Sequence, residues 1–159
     1  MRRKERKITD QETINKILSE SFICRVALFD DDFPYIVPMN YGLKDNVLYF
    51  HCAIEGKKID LIQKNNKVGF EIEAEHETLK FDESCKWTTK YRSIIGTGEI
   101  EILRDFDEKI KGLDILMQQH GKHDNSYNTK HVDNVLVLKL NVLNISAKQA
   151  GDWKLKTII

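Results

Sequence analysis

Two adjacent lysines, Lys57 and Lys58, stand where the stretch VLYFHCAIEGKKIDL (residues 47–61) changes from a strand pattern to a helix pattern. Backbone N–H groups at a helix N-terminus lack partners, and the helix dipole favours anions there, so lysines beside that end suit a phosphate. The preceding Leu48, Tyr49, Phe50, His51 and Cys52 offer aromatic and hydrogen-bonding groups to whatever carries the phosphate. The spacing suggests a phosphorylated aromatic cofactor lying along this strand–loop–helix unit. Taken alone, Glu55-Gly56-Lys57-Lys58 also reads as an exposed turn. Arg92, on a later strand, is the third cation of interest.

Other chemistries find less support. His120 and His123 lie three apart with His131 nearby, but Gly121 falls between the first two and reads as a helix stop, which works against a shared metal-binding face. His51 and Cys52 are neighbours on a strand and so point to opposite faces. Asp30-Asp31-Asp32 lacks the glycine and distal glutamate of a calcium loop and is better explained as a polar hairpin turn. No metal site is expected. The chain contains neither G-x-S-x-G nor a glycine-rich phosphate loop of the G-x-x-x-x-G-K-[ST] or G-x-G-x-x-G type. An anion site must therefore come from lysines and arginine on a different scaffold.

The elements that would position these residues follow from periodicity. Thr9 and Glu12 have capping-box spacing, with Ile14, Ile17 and Leu18 at helical spacing, so a helix is predicted over 10–20. Strands are predicted over 22–29, 35–43, 47–52, 67–75, 87–103 and 134–147. Helices are predicted from Lys57-Lys58 to about Lys64 and over 105–120, and loops over 76–86 and 122–133. Pro38 cannot donate to a ladder, which places the second strand at an edge or a bulge. Gly96 and Gly98 suggest a bulge or a close backbone approach. Six strands joined largely by short polar turns, with helices as covers, suggest a small closed or split barrel, mainly β or α+β.

The 159 residues suit one domain, 1–159, with a basic arm over 1–8 and a polar tail over 148–159. Formal net charge is zero, which argues against a protein built to grip nucleic acid. The arm containing Arg2, Arg3, Lys4, Arg6 and Lys7 reads as solvated or packed on a neighbouring subunit, with nucleic acid or anionic lipid as the alternative. Cys24, Cys52 and Cys85 form no C-x-x-C pair and fit a reducing cytosol. With no apolar leader and no membrane-length apolar run, a cytoplasmic location off the membrane is expected.

Three groups of residues, in order, resemble the pyridoxamine 5′-phosphate oxidase-like FMN-binding split-barrel family. They are Val37-Pro38-Met39-Asn40-Tyr41; Leu48 to Ala53 with Glu55-Gly56-Lys57-Lys58-Ile59-Asp60; and Tyr91-Arg92-Ser93-Ile94-Ile95-Gly96 with Gly98. Within the family the chain is most similar to the nitroimidazole-resistance branch. The resemblance implies a six-stranded antiparallel Greek-key split barrel with flanking helices, working as a homodimer with FMN between subunits. It implies that Lys57 and Lys58 meet the FMN phosphate and that Met39 and Asn40 meet the isoalloxazine through their backbone. Phe50, His51 and Cys52 then lie along the ring and ribityl chain. Arg92 and Ser93 reach the cofactor from the long strand, from the partner subunit. Trp153 loosely resembles a tail aromatic of the family. The implied activity is FMN-dependent reduction of a small molecule, nitroaromatic or related to pyridoxamine phosphate, with NAD(P)H as electron donor. His51 is either the proton donor or a hydrogen-bonded strand histidine. The alternatives are a flavin-binding or storage protein without turnover, or a haem-binding split barrel. The tail lacks the Arg-x-His of oxidases that make pyridoxal phosphate, which turns expectation away from that reaction.

Overall fold

The computed structural model describes residues 3–151. Its strands are β1 (Lys7–Ile8), β2 (Ile23–Leu28), β3 (Tyr35–Asn40), β4 (Gly42–Lys44), β5 (Val47–Ala53), β6 (Lys67–Leu79), β7 (Thr88–Leu103) and β8 (Val135–Ala150). Its α-helices are α1 (Gln11–Glu20), α2 (Lys57–Lys64), α3 (Phe106–Gln119) and α4 (Thr129–Asp133). All strand pairings are antiparallel, in the order β3-β2-β6-β7-β8-β5-β4, with β1 also on β8.

Alternation along the strands builds the core. Cys24, Val26 and Leu28 of β2 point inward, as do Leu48, Phe50 and Cys52 of β5. They meet Phe70, Ile72, Ile94, Leu138 and Leu140 from the long strands, with Ile17 and Leu18 of α1 and Ile59 and Ile62 of α2 as plugs. Burial of this apolar surface is the main driving force for the fold.

The mainly-β split-barrel expectation stands, with eight strands in place of six. One addition is β1. The other comes from the stretch 35–43, which is divided at Tyr41. Its first half, β3, pairs with β2 at one end of the sheet; its second half, β4, pairs with β5 at the other end. The chain therefore crosses from one sheet edge to the other at Tyr41, whose wholly buried phenol donates to the Leu18 carbonyl at 2.6 Å. Of the edge or bulge read from Pro38, the structure has the edge. β3 lies beside β5, but no ladder joins them, which leaves the barrel split along that seam.

Several local readings change. Asp10, not Thr9, caps α1, its carboxylate accepting from Thr13 N–H at 2.7 Å. The first four residues of the predicted loop over 76–86 are strand, because β6 runs on to Leu79 after a register shift between Ala74 and His76. β8 continues to Ala150, three residues past the predicted end, and part of the predicted loop over 122–133 forms α4. Gly96 and Gly98 behave as read. The β7–β8 register shifts between Thr97 and Gly98, and a Cβ on Gly96 would run into the Phe70 ring and the Asn144 carbonyl. Gly121, at φ +85°, ends α3 in the left-handed conformation.

Candidate functional site

The predicted site residues begin on β5. His51 is exposed, while Phe50 and Cys52 on either side of it are buried. Phe50 has no accessible surface at all, so its ring supports the strand from beneath and is out of a ligand's reach. Burial pushes the Cys52 thiol up from its ordinary value, and the nearby Lys58 ammonium partly offsets that shift.

Beyond Ala53 the chain turns through Gly56, whose φ of +121° L side chains rarely adopt, and enters α2 at Lys57. The helix start is unlike the others. Asp10, Asp105 and Asn128 cap α1, α3 and α4 through their side chains, whereas Gly56 has none to offer. The Gly56 carbonyl takes the N–H groups of Ile59 and Asp60, at 2.8 and 3.3 Å, but gives nothing acidic to the helix end. Lys57 and the half-buried Lys58 flank the positive end of the helix dipole, with Asp60 as the acidic residue of the same first turn.

Lys57 already has two partners. Its Nζ lies 2.5 Å from Asp30 Oδ2 and 5.3 Å from the centroid of the Tyr35 ring. The Asp30 hydrogen bond holds the Lys57 ammonium above its ordinary pKa. Asp30 follows β2 and Tyr35 opens β3, so the pair ties the β2–β3 hairpin to α2. The sequence reading missed both residues as parts of the site: the acidic run was visible, but nothing in the local pattern shows that this hairpin folds against α2. Asp30 also lines a cleft of about 280 Å³ with Phe33, Pro34 and Gly69.

From Tyr35 the strand β3 runs along the open seam to Met39, four residues or about 13 Å on. Met39 is buried opposite Cys24, and Asn40 is exposed opposite Ile23. Because β3 is the last strand of the sheet, its outer backbone groups are free of ladder bonds. One chain thus brings together the end of β5, the start of α2 and the free edge of β3.

Arg92 and Ser93 lie on β7. On β8, His51 faces Val137 while Arg92 faces Gln149, twelve positions further; across the other half of the sheet, Ile94 shares the cross-strand row of Ile72, Cys24 and Met39. Arg92 Nε donates to Gln149 Oε1 at 3.3 Å, and Ser93 is buried between Glu73 and Lys148. Trp153 lies outside the described residues. Among the described residues no group of three or more His, Cys, Asp or Glu is arranged to hold a metal ion. No described helix is long and apolar enough to cross a membrane.

The outer face of the sheet near the seam carries Ile36 of β3, Ile23 of β2 and Ile95 of β7, all exposed. The pairings Ala27–Ile36, Arg25–Glu71 and Glu71–Ile95 put them on one face.

Comparison with known proteins places this geometry. Residues 10–149 match the pyridoxamine 5′-phosphate oxidase family. A candidate 5-nitroimidazole antibiotic resistance protein from Bacteroides thetaiotaomicron is 33% identical, with a TM-score of 0.81 over 90% of this chain and 86% of that one. An FAD and heme binding protein from Mycobacterium smegmatis, 21% identical, shares the fold with a TM-score of 0.82 over 93% of this chain and 75% of that one. The flavocytochrome Anf3 from Azotobacter vinelandii, 16% identical, does so with a TM-score of 0.81 over 99% and 75%. An uncharacterized protein of Rhizobium meliloti is 29% identical over 97 residues, which cover 61% of this chain and only 57% of that protein's length.

Proposed function

Because the chain belongs to the pyridoxamine 5′-phosphate oxidase family, we propose that it is an FMN-dependent oxidoreductase, a homodimer that reduces a small molecule with NAD(P)H as electron donor. The observation that carries this reading is the side-chain-free start of α2, with Lys57 and Lys58 beside it, at one end of the unpaired β3 edge. A phosphate at that helix end leaves a flavin's ribityl chain and ring system to run along the edge toward Met39 and Asn40. Their backbone groups would hold the ring, with Cys52 beside it and Phe50 supporting the strand from the core. FMN, when bound, supplies the hydride and electron transfer; the protein supplies binding, orientation and exclusion of water. In this reading His51, exposed on the strand that leads to the phosphate site, hands a proton to the reduced product, a role histidine fills near neutral pH.

In the proposed homodimer a second copy supplies Arg92 and Ser93, which lie twelve β8 positions from the partner of His51. The exposed Ile23, Ile36 and Ile95 on one sheet face give that copy an apolar surface to bury.

The test is a visible spectrum of the purified protein, before and after adding NADH or NADPH anaerobically. A yellow protein that bleaches, then reoxidises with a nitroaromatic, supports the enzyme. One that stays yellow is a flavin carrier, and a Soret band makes it a haem protein. The double substitution Lys57→Ala, Lys58→Ala removes two charge-assisted contacts to the phosphate, and FMN affinity is expected to fall by about tenfold or more while the circular dichroism spectrum is retained. Full FMN occupancy in that variant would refute the phosphate assignment.

A further inference from the structure

Resting on the assignment of Lys57 to the phosphate, we propose that Asp30 is an internal competitor for that lysine and sets how tightly a phosphorylated cofactor is held. The 2.5 Å contact between Asp30 Oδ2 and Lys57 Nζ is a direct charge-assisted hydrogen bond. The Tyr35 ring, 5.3 Å from the same nitrogen, adds a second attraction on the hairpin side. Both draw the ammonium toward the β2–β3 hairpin, whereas a phosphate at the start of α2 draws it toward the helix. An ammonium has three donors, but the Asp30 carboxylate takes one of them and carries a negative charge that repels a phosphate held by the same group. Asp31, next in the chain, is exposed and also raises the Lys57 pKa, but it makes no described ion pair with the lysine. The hairpin therefore presents one aspartate in contact with the lysine and one that acts only through its field.

Binding of FMN and of riboflavin, which lacks the phosphate, is measured by flavin fluorescence quenching on the full chain and on Asp30→Asn, Asp31→Asn and Lys57→Ala. Asp30→Asn is expected to lower the FMN Kd by about threefold to tenfold, as loss of a partly exposed ion pair allows, and to leave the riboflavin Kd within about twofold. Asp31→Asn is expected to change the ratio of the two Kd values by less than half as much on a logarithmic scale. If Asp30→Asn leaves that ratio unchanged or weakens FMN, the carboxylate positions Lys57 and does not compete for it, and the proposal is overturned. Equal effects of the two Asn variants overturn it too, because loop charge alone would then suffice. If Lys57→Ala leaves the ratio unchanged, the phosphate assignment itself fails and the proposal goes with it. A merely structural role for Asp30 would move both Kd values together.

Discussion

Gly42→Ala tests how the site is held from behind. Gly42 opens β4, two residues after Asn40, and pairs with Tyr49 of β5. A Cβ built there would lie 2.5 Å from three backbone atoms of α3: Ile115 O, Leu116 N and Leu116 Cα. Attractive contact needs about 3.5–4.0 Å, so the helix must retreat by roughly 1 Å. Backbone in the middle of a helix cannot rotate away as a side chain can, and overpacking of this kind costs about 1–3 kcal/mol. The substitution also stiffens the unfolded chain, which returns only about 0.4–1 kcal/mol. For a chain of this size each kcal/mol moves Tm by about 2–4 °C. A fall of up to roughly 10 °C is expected, read by circular dichroism at 222 nm. Gly69→Ala is the matched control. Gly69 also lies in a strand, at an ordinary φ, and a Cβ there meets nothing closer than 4.0 Å. Its Tm is expected to hold or rise. Equal Tm shifts in the two variants would mean that α3 yields freely, and that close packing on β4 does not fix the chain next to Met39 and Asn40.

Gln119 offers a second stability test. Its Nε2 lies 3.0, 2.8 and 3.0 Å from the carbonyls of Leu18, Ser19 and Ser21, tying the end of α1 to α3. Gln119→Ala is expected to cost about 1–2 kcal/mol in urea unfolding, and an unchanged midpoint would discount the tie. Among the cysteines, exposed Cys85 is expected to react with a maleimide within minutes at pH 7.5, while buried Cys24 and Cys52 stay unmodified until the protein unfolds; mass spectrometry showing labelled Cys24 in folded protein would contradict its burial. Burial, reinforced by Glu71, pushes the Cys24 thiol up to about 12 from 9.0. The folded state then keeps a proton that the unfolded chain loses, so the contribution is intact below about pH 9 and is lost as pH rises toward 12. The slope from this one group reaches about −1.4 kcal/mol per pH unit. Cys24→Ala should flatten alkaline unfolding over that range, and an unaltered slope would remove Cys24 from the account.

The sequence alone located most of the strands, 67–75 among them as a half-buried one, because period-two alternation is a local signal. It also placed Lys57 and Lys58 at a helix start and Pro38 on an edge, since both follow from backbone hydrogen bonding within a few residues. Only the tertiary structure showed that the stretch 35–43 breaks at Tyr41 and joins opposite ends of the sheet. An extended segment looks the same in sequence whichever strands it pairs with, and the partners of β3 and β4 are chosen by long-range packing. The sequence likewise could not show that Asp30 and Tyr35 hold Lys57, because 27 and 22 positions separate them along the chain. Nor could it show that Arg92 lies twelve β8 positions away from the partner of His51. Local chemistry is set by neighbours along the chain, whereas distance between sites is set by ladder register, which depends on the whole sheet.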